Sequence, residues 1–96
     1  MSYVKTIFDN GDNIMARIID GKNKNLIGRN LKRLRVKLKI SQQDLSNKLE
    51  LLGVYICRGS VSRIEDYSRT VTDIELFAIA KVLGVDPKEL YDESID

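Results

Sequence analysis

Arginine and serine side chains alternate with apolar ones in the stretch RGSVSRIE, residues 58–65. If this stretch is a helix, Val61 and Ile64 lie on one buried side, because they are three positions apart. The opposite side then carries Arg58, Ser60, Ser62 and Arg63. A guanidinium can donate two hydrogen bonds to guanine O6 and N7 or clamp a phosphate, and a hydroxyl can reach either. This side therefore has the chemistry of a DNA-reading surface.

The segment in front of this stretch has the pattern of another helix. Ser41 and Asp44 are spaced as a capping box, and Leu45 and Leu49 follow on one face. Gly53 ends the helix, since glycine is the usual residue just past a helix C-terminus. Two helices joined by a turn, the second with a polar and basic face, are the parts of a helix-turn-helix motif. Such a motif lays its second helix in the DNA major groove.

The remaining pattern predicts three more helices. Asn25 would cap a first helix over about residues 26–38, before the second over about 42–52 and the third over about 58–67. Thr72 and Glu75 form a capping box for a fourth helix, which is nearly apolar all round and is expected to be the central buried one. Asp86 and Pro87 start a short fifth helix that runs through Tyr91.

Composition excludes several classes of function. The chain has 96 residues, one cysteine and no histidine, which fits a single domain without disulfides or a metal site. No nucleophile–base pair or glycine-rich phosphate loop is present, so we expect neither an enzyme nor a cofactor. No long apolar run or signal peptide occurs, which predicts a soluble, cytoplasmic protein without a membrane partner.

Charge is distributed unevenly although the net charge is only +2. Residues 22–43 contain eight basic side chains and no acidic one, whereas residues 84–96 contain five acidic side chains and one lysine. Such an asymmetry would orient the domain in the field of a polyanion, with the carboxy-terminal end facing away. The alternative is that the lysines only solubilise an amphipathic helix.

Residues 1–24 form an N-terminal extension of different character. Two β-branched segments flank Asn10-Gly11, a dipeptide that suits a two-residue type I′ turn, so the sequence predicts a β-hairpin followed by a basic linker. The alternative is that translation starts at Met15 and the preceding residues are not native. Because a lone hairpin is marginal in water, residues 3–19 are expected to form or extend a dimer interface. The alternative interface is the fifth helix around Leu90 and Tyr91.

The ordered motifs give this chain a family resemblance. NLKRLR, ISQQDLS, SVSRIE and DIELFAIAKVLGVDPKEL resemble successive parts of the phage-repressor and Cro-type helix-turn-helix family, the xenobiotic-response-element regulators. The resemblance covers about residues 25–91 and leaves 92–96 as an acidic tail. It implies an all-α, five-helix, lambda-repressor-like domain that binds double-stranded DNA and controls transcription.

Three positions depart from the family pattern. LLGVY, residues 51–55, lengthens the link between the second and third helices by about five residues. Lys39 stands where a glycine often ends the first helix, and Tyr67 replaces the glycine that usually follows the third. The insertion matters most, because it changes how the third helix is presented to the groove.

The resemblance also implies roles for individual residues. Gln42 would contact a phosphate and brace the third helix, and Gln43 and Arg69 would add contacts; an exposed polar surface is the alternative. Arg35 and Glu65 would pair inside the domain. The expected DNA-binding set is Gln42, Gln43, Arg58, Ser60, Ser62, Arg63 and Arg69. Cys57, at the start of the third helix, is either a reactive thiol or simply a small residue at a helix start.

The sequence thus predicts a sequence-specific transcriptional regulator, a repressor that acts as a homodimer on a palindromic operator. Two copies of the short reading helix would supply the specificity that one lacks. The competing interpretation is a protein-interaction module, an antitoxin or anti-repressor, that uses the N-terminal extension or the acidic tail to bind a protein partner.

Overall fold

Four α-helices and one turn of 3-10 helix make up residues 23–92, the part of the chain that the computed structural model describes. The elements are α1 (Gly28–Lys37), α2 (Gln42–Leu51), α3 (Arg58–Glu65), α4 (Asp73–Leu83) and the 3-10 helix (Pro87–Leu90). α2 packs against α3 and α4, α1 packs against α3, and the 3-10 helix closes the domain between α1 and α4. No strand occurs within these residues, and the predicted β-hairpin lies outside them.

Local capping starts α2 and α4 where the sequence predicts. At α2 the Ser41 hydroxyl accepts a hydrogen bond from the Asp44 amide at 2.9 Å, and the Asp44 carboxylate accepts one from the Ser41 amide at 2.9 Å. Thr72 and Glu75 form the same reciprocal pair at the start of α4. Both capping boxes are confirmed, because each needs only residues three positions apart.

The core combines one side of every helix. Val61 and Ile64 are buried as predicted, and with them lie Leu31, Leu45, Leu49, Ile56, Ile79, Leu83 and Leu90. The expectation that α4 is buried all round is wrong, because Ile74 and Phe77 are 68% and 61% exposed. Within residues 23–92, α4 packs mainly against α2 and the 3-10 helix, so Ile74 and Phe77 in its first two turns present an apolar surface to solvent.

Asn25 is not the N-cap of α1, which begins two residues later than predicted. Its carboxamide oxygen accepts a hydrogen bond from the Ile27 amide at 2.9 Å. Its Nδ2 donates to the carbonyl oxygens of Ile64 and Arg69, at 3.0 and 2.9 Å. The buried side chain thus joins three separate backbone segments and holds residues 25–27 outside the helix.

Asp92 supplies the cap that α1 lacks locally. Its carboxylate accepts hydrogen bonds from the amides of Arg29 and Asn30, at 3.3 and 2.9 Å, and from the Tyr67 hydroxyl. The carboxylate also lies at the positive end of the α1 dipole. Burial, and then the hydrogen bond to Asp92, raise the pKa of Tyr67, so its hydroxyl stays a donor. Asp92, assigned from sequence to the acidic tail, is therefore a buried part of the domain.

The predicted fifth helix is a single 3-10 turn, so the five-helix count is wrong. Asp86 caps the turn and Pro87 opens it, as expected. The turn cannot continue, because Leu90 enters the core, Tyr91 becomes extended and the Asp92 amide donates to the Leu26 carbonyl at 2.8 Å. The tether to α1 thus draws the chain away from helical geometry.

Lys39 and Tyr67 stand where the family pattern has glycine, and both adopt the left-handed conformation that glycine favours. Lys39 has φ 62° after α1, and Tyr67 has φ 69° after α3. A side chain in this region costs roughly 1–2 kcal/mol. At Tyr67 two hydrogen bonds offset that cost. The hydroxyl donates to Asp92 and accepts from the Arg29 amide.

We predict that Asp92→Ala lowers the free energy of unfolding by about 1–2 kcal/mol, because it removes the cap of α1. Tyr67→Phe should cost about 1 kcal/mol, the net value of one hydrogen bond. Urea denaturation of both single variants and the double variant measures these effects. Since the two side chains share one hydrogen-bond network, the double variant should lose less unfolding free energy than the two single variants lose together. Strict additivity would show that Tyr67 and Asp92 act independently.

Candidate nucleic-acid interface

α3 presents the polar face that the sequence predicts. Val61 and Ile64 are 1% and 0% exposed, whereas Arg58 and Arg63 are exposed and Ser60 is half-buried. Ser62 is half-buried as well. The Arg63 guanidinium donates to the Ser60 hydroxyl at 3.0 Å, so the two side chains are held together across one turn. α3 thus offers donors of both kinds, guanidinium and hydroxyl, on one exposed surface.

Close backbone contact fixes the position of α3 on α1. A Cβ atom at Gly28 would lie 2.7 Å from the Ile64 carbonyl oxygen and 2.8 Å from that of Glu65. Because no real side chain tolerates such contacts, only glycine lets α1 begin this close to the end of α3. The Asn25 hydrogen bond to the Ile64 carbonyl fixes the same point.

Glu65 links α3 to α1 and to the start of α2. Its carboxylate accepts from Arg35 Nε at 2.6 Å and from Arg35 Nη2 at 3.1 Å, which confirms the predicted pair. The side chains of Arg35 and Glu65 are only 11% and 4% exposed. The Gln42 amide adds a third donor at 3.0 Å, so Gln42 braces α3 through Glu65. Its expected phosphate contact stays a prediction.

Gln43 lies on the exposed side of α2, next to a residue that sequence reasoning missed. Its amide donates to the Asn47 carboxamide oxygen at 2.9 Å. The spacing of four positions between two amide side chains is the signal that could have identified Asn47. The pair keeps Gln43 extended along the helix surface, where it remains accessible to a ligand.

Arg69 has a partner inside the domain. Its guanidinium donates to both carboxylate oxygens of Glu75, at 3.0 and 3.1 Å, and to the Thr70 carbonyl. The hydrogen bond from Arg69 holds the pKa of Glu75 below its usual value, and that from Glu75 raises the pKa of Arg69. A DNA contact by Arg69 stays a prediction and would have to use the part of the guanidinium that Glu75 leaves open.

Gly59 occupies the first turn of α3 with no internal reason to be glycine. A Cβ atom there would meet only Nη1 of Arg63, at an ordinary 3.7 Å. Since glycine within a helix costs roughly 1 kcal/mol relative to alanine, the fold alone would favour a larger residue. The open space lies on the surface that carries Ser60 and Arg63.

Other kinds of site find little support in residues 23–92. These residues contain no group of three side chains that could hold a metal ion. None of their helices is both long and apolar enough to cross a membrane.

We predict that Glu65→Gln lowers the free energy of unfolding by about 3 kcal/mol, because it leaves the buried Arg35 guanidinium without its counter-charge. Glu75→Gln is the matched control and should cost about 1 kcal/mol or less, since the Arg69 pair is more exposed. Thermal or urea denaturation measures both. A Glu65→Gln variant of unchanged stability that no longer bound DNA would place Glu65 on the DNA face instead.

Comparison with known proteins identifies the family. A family model described as helix-turn-helix matches residues 31–90. The restriction-modification controller protein C.AhdI from Aeromonas hydrophila is similar in structure, with a TM-score of 0.60, 28% sequence identity and coverage of 68% of this chain and 91% of that protein. A search of curated protein sequences finds no match. The chain belongs to the Cro/C1-type helix-turn-helix family, and its fold is that of a DNA-binding transcription regulator.

Proposed function

We propose that this protein is a sequence-specific regulator that binds double-stranded DNA through α3 and represses transcription as a homodimer on a palindromic operator. The observation that carries the proposal is the polar face of α3, on which Arg58 and Arg63 are exposed and Ser60 is half-buried, while the other side of the helix is buried. The base edges and phosphates of bound DNA would form hydrogen bonds with this face.

The anchoring of α3 supports base reading over loose electrostatic attraction. Gly28, Asn25 and Glu65 fix the carboxy-terminal end of α3, so the polar side chains along the helix keep one orientation. A rigid element of this kind can present a guanidinium to a base within the narrow geometry that two parallel hydrogen bonds require. Gly59 fits the same function, because its open space would admit a phosphate or a thymine methyl group.

Repression needs only occupancy of a promoter by a compact domain, and the similarity to a controller protein supports a role in gene control. Such a protein acts where the DNA is, which agrees with the expected cytoplasmic location. The function requires no catalysis and no cofactor.

We predict that Arg63→Ala and Arg58→Ala each weaken binding to the preferred duplex by about 1–3 kcal/mol without unfolding the domain. The duplex is first selected from random-sequence DNA with the parent protein, and fluorescence anisotropy then gives the affinity over a range of salt concentrations. Replacing an arginine that contacts a phosphate should also reduce the slope of log affinity against log salt concentration by about 1.

Arg33→Ala is the charge-matched control. It removes the same charge from the exposed side of α1. The loss of affinity for the duplex should therefore be smaller, and high salt should abolish it. If Arg58→Ala and Arg63→Ala bind the duplex like the parent, the assignment of DNA binding to α3 is wrong. If the parent enriches no sequence and its weak binding lacks salt dependence, a protein-interaction module of the antitoxin or anti-repressor class becomes the better interpretation.

The apolar surface of α4 is the proposed contact between the two copies. Ile74 and Phe77 are exposed there, and Leu90, one of the residues suggested from sequence, is fully buried in its own core. Asp73, Phe77 and Lys81 are spaced four positions apart and therefore lie on one side of α4. When two α4 helices cross antiparallel about Phe77, Asp73 of one copy faces Lys81 of the other, twice by symmetry.

We predict that Asp73→Lys and Lys81→Asp each weaken the dimer, because each creates two like-charge contacts across the symmetric interface. An equimolar mixture of the two variants should restore the dimer, since every contact then joins opposite charges. Sedimentation equilibrium of the parent, the variants and the mixture measures this. A mixture that stays monomeric, or single variants as dimeric as the parent, would move the interface away from α4, for instance to residues 3–19.

A further inference from the structure

Cys57 lies at the N-terminus of α3, beside the proposed DNA-reading face, and has no role in that proposal. It is the N-cap residue of α3 and its thiol is exposed. Sγ lies 3.4 Å from the Ser60 hydroxyl. Ser60 in turn accepts a hydrogen bond from Arg63 at 3.0 Å, so the three side chains form a continuous row.

This row favours a thiolate at Cys57. The neutral Cys57 thiol donates to the Ser60 oxygen. Once the thiol loses its proton, the Ser60 hydroxyl can donate to the sulfur in return, while its oxygen still accepts from Arg63. The pKa of the Cys57 thiol is lowered by hydrogen bonding to the Ser60 side chain, then by the backbone amides of Ser60 and Gly59 and by the charge of Arg63. Thiolates, and not thiols, are the nucleophiles in disulfide exchange.

An adjacent cavity of about 330 Å³ contains a second, independent feature. Ser46, Glu50, Tyr55 and Ile56 line it together with Cys57 and Ser60. Ser46 is only 9% exposed, and its hydroxyl has no hydrogen-bond partner among residues 23–92. Because Ser46 lines the cavity, its hydroxyl is placed to donate a hydrogen bond to a polar ligand there.

We propose that Cys57 is a reversible modification site that forms a mixed disulfide with a small peptide thiol of the glutathione type. The peptide would lie in the cavity, where a carboxylate or peptide carbonyl accepts from Ser46 and an ammonium group pairs with Glu50. Arg58 and Arg63 attract the remaining carboxylates. The inference rests on the proposed function only for its consequence, the control of DNA binding.

The reaction is a thiol–disulfide exchange with the symmetric disulfide of the peptide thiol as co-reactant. The Cys57 thiolate attacks one sulfur and forms the new S–S bond, while the old S–S bond breaks and its electron pair leaves on the other sulfur. The Cys57 sulfur is oxidised, the released sulfur is reduced and then takes up a proton from water. Excess free thiol reverses the exchange.

The adduct would weaken DNA binding through charge. A bound glutathione adds net negative charge at the N-terminus of α3, beside Arg58 and Arg63, where the DNA phosphates would lie. Like charges a few ångströms apart repel even in water, and more strongly where solvent is excluded. Reduction would restore the affinity, so the site would couple gene control to the thiol redox state.

The test uses the full chain, glutathione disulfide and cystamine, a disulfide of the same chemistry that leaves a cationic adduct. Intact mass should show one glutathione on the parent and none on Cys57→Ser. The glutathione adduct should bind the selected duplex at least about tenfold more weakly than the reduced chain, and the cystamine adduct within about threefold of it. Cys57→Ser should bind like the reduced parent under all conditions.

Two further variants test the row and the cavity without DNA. Ser60→Ala should shift the pH midpoint of the reaction rate upward, because it removes the main hydrogen bond to the thiolate. Ser46→Ala should reduce the equilibrium formation of the glutathione adduct severalfold and leave the cystamine adduct unchanged.

Equal DNA affinity of the glutathione adduct and the reduced chain would overturn the inference. So would adduct formation that neither Ser60→Ala nor Ser46→Ala affects. Failure of the reduced chain to bind any duplex would instead refute the proposed function, and the mass measurements would still decide whether Cys57 takes the peptide thiol.

Discussion

The arrangement of this domain depends on one buried carboxylate. Glu65 ends α3 and accepts hydrogen bonds from Arg35 of α1 and Gln42 of α2, so it fixes three helices relative to one another. Burying a charge is costly unless all of its oxygens are paired, and here both oxygens have donors. The interaction therefore tolerates only one relative position of the helices, and that position determines where α3 projects its exposed side.

Features set by neighbouring residues could be predicted from the sequence. The capping boxes at Ser41 and Thr72 need contacts over three positions, and the buried side of α3 follows from the helical period. The Arg35–Glu65 pair joins residues far apart in the chain, and it was predictable only because the ordered motifs resemble a known family. The polar face of α3 was predictable on both grounds.

Features set by tertiary contacts could not be predicted. Asn25 has the composition of a helix cap, but its carboxamide bonds to backbone groups about 40 residues later, and no local pattern reveals that. The apolar character of α4 does not distinguish a residue in the core from one on the surface, so the sequence does not reveal that Ile74 and Phe77 are exposed. The acidic composition after Gly84 likewise concealed the buried position of Asp92.

The cap that Asp92 provides has a consequence for the order in which the domain can be completed during synthesis. The amides of Arg29 and Asn30 emerge from the ribosome early, but their acceptor is separated from them by more than 60 residues. Domains fold as units once their chain is available. A nascent chain that lacks its last turn therefore has α1 uncapped, and the Tyr67 hydroxyl lacks its acceptor. A truncated translation product would keep the Glu65 contacts that position α3 but would lack the cap of α1, so its domain would be less stable than that of the complete chain.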